Sequence, residues 1–143
     1  MREAIKPILD AHQKICQIRN LLRQSGYTES RIRQLLGVEA LPLHRQRRSA
    51  LSRYLWRARG GSPLNILCRL FLLRQSTSVD DLRGVIEPAD IEDWIDVGLL
   101  RVEGDDVIAS VELCPYQNLM LAADWPDGDH ADLHQVMGIA ASS

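Results

Sequence analysis

His130 and His134 stand four residues apart with Asp129 and Asp132 interleaved, a spacing that on a helix would turn both imidazoles toward one metal ion. The neighbouring Asp127-Gly128-Asp129 reads as a loop, and no Glu follows His130 directly, as the helical zinc-hydrolase motif requires. No metal site is therefore expected. Gly60-Gly61 lacks the preceding strand, the third glycine and the Lys-Ser/Thr pair by which a backbone turn cradles phosphate, so it reads as a helix boundary. Cys16, Cys68 and Cys114 are odd in number, widely spaced and never paired as Cys-x-x-Cys, which argues against a disulfide framework or a cysteine-based zinc site and fits a reducing cytoplasm. Cys68 lies on an apolar segment with no neighbouring His and is expected as a buried, inert thiol. Carboxylates abound in the second half, but no pair stands out from a solvated surface. No catalytic residue is assigned.

The remaining chemistry is charge. Residues 1–75 hold 15 Lys/Arg against 4 Asp/Glu, whereas residues 76–143 hold 2 against 15, so the formal net charge of −2 hides a strongly basic half beside a strongly acidic one. The basic charge is densest in Arg45, Arg47, Arg48, Arg53, Arg57 and Arg59, with Tyr54 and Trp56 interleaved. Such a set can neutralise several phosphates or meet an acidic protein, and an exposed aromatic among the arginines can stack on a base. Two blander uses compete with that one: arginines are common on a solvated helix face, and the acidic half offers an internal partner.

The elements that position these residues follow from periodicity. A first helix is expected from Arg2 or Pro7 to Gln24, stopped at Gly26; Thr28 then caps a short helix that Gly37 ends, making a helical hairpin. A third, basic helix is expected over Leu43–Ala58, with Leu51, Tyr54 and Leu55 as its apolar stripe and the arginines on other faces. Arg59-Gly60-Gly61-Ser62-Pro63 is the clearest boundary, with Ser62 a cap and Pro63 in the first turn of the next helix. That helix is apolar nearly all round. Thr77-Ser78-Val79 reads as a short strand, Asp80 as the cap of a helix through Ile86, Pro88 as the opening of a helix Ala89–Val97 closed by Gly98, and Leu99–Glu103 with Val107–Leu113 as a hairpin about Gly104-Asp105-Asp106. Leu119–Ala123 is a further strand candidate, and Trp94 and Trp125 are expected in the core or at an interface.

This order predicts an α+β, mainly helical chain: an N-terminal helical hairpin and basic helix over 1–61, a winged-helix-like module with a β-hairpin over 62–126, and a tail over 127–143. At 143 residues and 45% hydrophobic composition, one ordinary core is expected. No stretch reaches the roughly 20 apolar residues that a membrane span needs, and the N-terminus has no uninterrupted apolar run of signal-peptide length. The expected third helix of the wing module carries Asp90, Glu92, Asp93 and Asp96 and no base, so phosphate contacts through it are disfavoured. Protein interaction or internal docking is the better expectation for it.

Several motifs, taken in order, resemble the N-terminal domain of bacterial class I S-adenosylmethionine-dependent methyltransferases that are similar, in their catalytic half, to release-factor glutamine methyltransferases. They are Gly26-Tyr27-Thr28, Ile32-Arg33-Gln34-Leu35-Leu36-Gly37, Arg59-Gly60-Gly61-Ser62-Pro63-Leu64, Arg69-Leu70-Phe71-Leu72-Leu73, Gly98-Leu99-Leu100, Leu113-Cys114-Pro115-Tyr116, Ala123-Asp124-Trp125 and His134-Gln135-Val136-Met137-Gly138-Ile139. The resemblance covers most of the chain from about Leu21. It implies a noncatalytic domain for substrate recognition or interdomain packing, whose partner is its own catalytic domain, with a protein side chain such as glutamine as methyl acceptor. S-adenosylmethionine is expected for the full-length protein and not for this segment: the acidic-x-Gly-x-Gly turn and the Asn-Pro-Pro-Tyr of that family do not occur here. Cys114-Pro115-Tyr116 lacks the Asn and first Pro of the second motif. The resemblance places the start of the catalytic domain near Ser143, so the chain reads as the N-terminal part of a longer protein. The competing expectation is a stand-alone module that binds nucleic acid or an acidic protein through Arg45–Arg59.

Overall fold

Helix α1 (Arg2–Gln24) stops where Gly26 turns at φ 86°, a left-handed conformation that costs glycine nothing sterically. Thr28 then caps α2 (Glu29–Leu36) by accepting from the Arg31 N–H, and Gly37 closes it at φ 70°. The structure, a computed structural model, describes residues 2–42, 44–87, 89–117, 119–125 and 137–140, with side chains in 12–42, 45–87, 89–117 and 119–125.

The basic segment forms two helices instead of the one expected: α3 (His44–Ser49) and α4 (Leu51–Arg57), broken at Ala50, whose ψ of 24° leaves the helical range. Ser62 caps α5 (Pro63–Phe71) by accepting from the Asn65 N–H, with Pro63 in the first turn, where its missing N–H costs nothing. Every residue from Ile66 to Phe71 except Arg69 is buried, which explains why the helix is apolar on nearly every face.

From α5 onward the chain takes the winged-helix order: β1 (Thr77–Ser78), α6 (Val79–Ile86), α7 (Ile91–Asp96), β2 (Leu100–Glu103) and β3 (Asp106–Ala109). The sheet runs β1-β3-β2, all antiparallel, with Leu100 opposite Ala109 and Thr77 opposite Val107. The cap of α6 is Ser78, which accepts from the Asp81 N–H; Asp80, expected as the cap, lies inside the first turn, where its charge suits the helix N-terminus.

The expected strand Val107–Leu113 is two strands in two sheets. The chain leaves the wing at Ser110, whose N–H donates to the Leu99 carbonyl at 2.8 Å, and continues as β4 (Val111–Tyr116). β4 pairs with β5 (Leu119–Asp124), and β5 with β6 (Met137–Ala140), giving a second antiparallel sheet β4-β5-β6. Met137–Ala140, expected within a tail, is thus an edge strand.

One continuous core runs through both parts, from Ile18 and Leu22 of α1 through Ile32 and Leu36, the α5 residues, Leu82, Ile86 and Trp94 to Leu113, Met120 and Ala122. Phe71 and Trp94 stack with ring centroids 5.8 Å apart, joining α5 to α7. Tyr27 is fully buried, and its hydroxyl donates to the Leu113 carbonyl at 2.5 Å, tying the α1–α2 turn to β4. Among the described residues, no helix is long and apolar enough to cross a membrane.

Candidate functional site

Helices α3 and α4 present the arginines singled out by sequence, and the structure divides them. Arg45, Arg48, Arg53, Arg57 and Arg59 are exposed. Arg47 is not: it is 4% exposed, donates from Nη1 to the Pro42 carbonyl at 2.8 Å and places Nη2 2.8 Å from Glu112 Oε2 of β4. The Nη2 N–H is not aimed at that oxygen, so the contact is an ion pair more than a hydrogen bond. Arg47 is therefore withdrawn from the binding face expected of it. A signal for this exists in the sequence, because Arg47 stands four residues before Leu51 and seven before Tyr54, on the apolar stripe itself.

Tyr54 is buried in the core, as the stripe predicts, and the Arg53 guanidinium stands 5.4 Å from its ring centroid. The guanidinium of Arg57 lies against Gly37 at the C-terminal end of α2, so close that a Cβ built on Gly37 would come within 3.0 Å of it. Trp56 is 62% exposed. Arg59 stacks on Trp56 with its guanidinium carbon 3.7 Å from the ring centroid, and its Nη1 donates to the Trp56 carbonyl at 2.7 Å.

The boundary after α4 is held by a residue that sequence reasoning passed over. Arg69 of α5 donates from one Nη1 to the carbonyls of Ala58 and Gly60, at 2.5 and 2.7 Å, satisfying the carbonyls at the end of α4 and fixing the turn. A single arginine on an otherwise apolar helix is the signal that marks it. Asn65 reinforces the same turn: the Ser62 hydroxyl donates to Asn65 Oδ1 at 2.7 Å, and a Cβ on Gly60 would meet Asn65 Nδ2 at 2.4 Å.

Carboxylates of the acidic half meet bases of the basic half at α1 and at α3. Lys14 of α1 places Nζ 3.1 Å from Asp96 and 3.6 Å from Asp93 of α7, so the third helix of the wing module is flanked by α1. Its pKa is raised, first by the hydrogen bond to Asp96. The other place is Glu112, which meets Arg47 through Oε2 and accepts from Cys114 Sγ at 2.9 Å through Oε1. Burial, followed by the Glu112 charge, pushes the Cys114 thiol well up, and burial pushes Cys68 up to about 12. Both are the inert form of cysteine.

Behind the wing, a cleft of about 360 Å³ is lined by Arg74, Arg101, Ser110, Asp124 and Trp125. Its floor is fixed by Trp125 Nε1 donating to the Ala109 carbonyl at 2.9 Å, with the Arg74 guanidinium 5.4 Å from the indole centroid. Arg101 at its rim is paired with Glu103 at 3.8 Å. Among the described residues no group of three or more His, Cys, Asp and Glu is placed to hold a metal ion; His130 and His134 lie outside the described residues.

Residues 24–110 match the family model described as Domain of unknown function (DUF7059). No curated protein and no solved structure matches the chain.

Proposed function

The chain belongs to the DUF7059 family, and from that premise we propose that it is the noncatalytic N-terminal domain of a cytoplasmic S-adenosylmethionine-dependent methyltransferase, which packs on the catalytic domain or presents a protein substrate to it. The observation that carries the reading is the order of motifs from Gly26-Tyr27-Thr28 to Leu113-Cys114-Pro115-Tyr116, which resembles the N-terminal domain of those enzymes. Those motifs are framework residues: Tyr27 ties the helical part to β4, Gly37 ends α2, Ser62 caps α5 and Arg69 holds the turn before it. A resemblance of framework residues speaks for a shared domain and not for a shared active site.

A surface for packing is present where the second sheet ends. Tyr116 and Leu119 are directly opposite each other in the β4–β5 register and are 53% and 41% exposed, an apolar pair at the tip of a hairpin. The neighbouring Pro115 and Met120 are buried beneath it. In this reading the tip docks on the catalytic domain.

Reading the native gene beyond the codon for Ser143 tests the proposal. The expected frame continues into a strand, an acidic-x-Gly-x-Gly turn and a later Asn-Pro-Pro-Tyr; a stop codon directly after Ser143 overturns it. Calorimetry of this chain with S-adenosylmethionine is expected to show no binding, and measurable affinity would overturn the assignment as noncatalytic.

A further inference from the structure

Between Glu39 and Asp80 the sequence has eight arginines and no carboxylate side chain. Some of this charge is used inside the fold: Arg47 pairs with Glu112, and Arg69 donates to two carbonyls. Arg45, Arg48, Arg53, Arg57 and Arg59 remain exposed, and among the described residues none of these five pairs with a carboxylate. Three acids of the second half are already met by bases of the first, Asp93 and Asp96 by Lys14 at the surface and Glu112 by Arg47 in the interior. The exposed arginines of α3 and α4 are thus not neutralised by the described residues of the acidic half, and such a concentration of positive charge attracts a polyanion.

Trp56 stands near the end of α4, three residues after Arg53 and three before Arg59. A large indole 62% exposed is costly unless something covers it, and one side is covered by a cation: the Arg59 guanidinium, 3.7 Å away and anchored to the Trp56 carbonyl. The remaining ring surface is flat, exposed and held in place by Arg59.

We propose that the α3–α4 face binds single-stranded nucleic acid, with Arg45, Arg48, Arg53 and Arg57 on phosphates and Trp56 stacked on a base. The proposal does not depend on the methyltransferase reading. An acidic protein would satisfy the arginines equally well, but a rigid ring backed by a guanidinium matches the π-face that every base presents. Duplex binding in the winged-helix mode is disfavoured, because α7, the helix that would enter a groove, carries Glu92, Asp93 and Asp96 and no base.

Fluorescence anisotropy with labelled oligo(U) and oligo(dT) of about 12 nucleotides tests this, a length within the usual single-strand site size. Four neutralised phosphates predict binding that weakens about 50-fold between about 50 and 200 mM salt. Removing three of the cations, in R45A/R48A/R53A, is expected to weaken binding about tenfold or more at the lower salt and to flatten the salt dependence. Trp56→Leu is expected to weaken it about tenfold with the salt dependence unchanged, and to abolish the quenching of tryptophan fluorescence by unlabelled oligonucleotide. All four positions are exposed, so circular dichroism of the variants should match the parent. A preference for oligo(U) or for oligo(dT) assigns RNA or DNA, and either supports the proposal. No binding at the lower salt overturns it, as does competition by poly-glutamate as effective as that by oligo(U), which would assign the face to acidic protein.

Discussion

Arg47 of α3 and Glu112 of β4 meet 2.8 Å apart between the helical part and the second sheet, with 5% and 13% of their side chains exposed. The pair joins the basic half of the sequence to the acidic half at one buried point. Each partner makes one further hydrogen bond, Arg47 Nη1 to the Pro42 carbonyl and Glu112 Oε1 from the Cys114 thiol, while Arg47 Nη2 is held by charge alone. Desolvating two charges is expensive, so such a pair contributes more to holding this one arrangement of parts than to net stability.

Breaking the pair from one side leaves a buried, unmatched charge. Arg47→Met is expected to cost about 3 kcal/mol or more, whereas the double variant R47M/E112L should recover most of that loss. Urea unfolding of the single and double variants measures it. A neutral R47M would mean that the two side chains are solvated in solution. Nucleic-acid affinity of the folded R47M protein should match the parent, because Arg47 does not reach the outer face.

Tyr27→Phe removes one hydroxyl and nothing else from the joint between the α1–α2 turn and β4. The ring stays buried, and the Leu113 carbonyl loses its donor. A loss of about 1 kcal/mol is expected, read as a shift of the urea midpoint without a change of slope. No change would show that the Leu113 carbonyl finds a substitute partner.

Alkaline pH should destabilise the fold. Burial raises Cys68 from 9.0 to about 12, so between those values the unfolded chain has released a proton that the folded chain retains, and stability falls as pH rises. The slope from this group is about 1.4 kcal/mol per pH unit. Cys114 is raised from the same starting value and adds to the loss from the same onset, and Tyr27 and Lys14, raised in the same direction, add to it at higher pH. Unfolding midpoints measured from pH 8 upward check the sign, and replacing Cys68 by Ala should flatten the onset. In the native protein at pH 8, a thiol reagent should label the buried Cys68 only as fast as the chain unfolds.

The helices were legible because their ends are marked locally: Gly26, Thr28, Gly37, Ser62 with Pro63, and Gly98 each do in the structure what their chemistry suggests. The order of the wing module followed from those ends. The switch of sheets at Ser110 was not legible, since Val107, Ala109, Val111 and Leu113 are all buried and keep the period of two straight through the break. Only pairing distinguishes the sheets, and pairing is non-local. Helix periodicity likewise ran through Ala50, where two helices meet. Of the arginine set, the exposed five were recognisable from composition, while the withdrawal of Arg47 depended on Glu112, 65 residues further along the sequence.

Arg69 offers the sharpest test of how the boundary between the two parts is built. The chain between α4 and α5 contains Gly60 and Gly61, which give it no side chains of its own to hold the turn, and the carbonyls of Ala58 and Gly60 would otherwise be left without a protein donor. One guanidinium supplies both hydrogen bonds. Arg69→Met keeps an apolar stem of similar length and removes the donors, so its cost isolates the hydrogen bonds from the packing. Bonds from a charged group are worth about 1.5–3 kcal/mol, and a loss near the middle of that range is expected in urea. Arg69→Lys keeps the charge, but its shorter side chain ends before the position of Nη1, the one nitrogen that serves both carbonyls, and it should recover less than half of the loss. Because the wing module begins at Ser62, R69M should also speed amide exchange at the first turn of α5 and the end of α4 before it affects the β2–β3 hairpin. Equal acceleration everywhere would mean that Arg69 supports the whole core, and that the two parts do not meet at a local hinge.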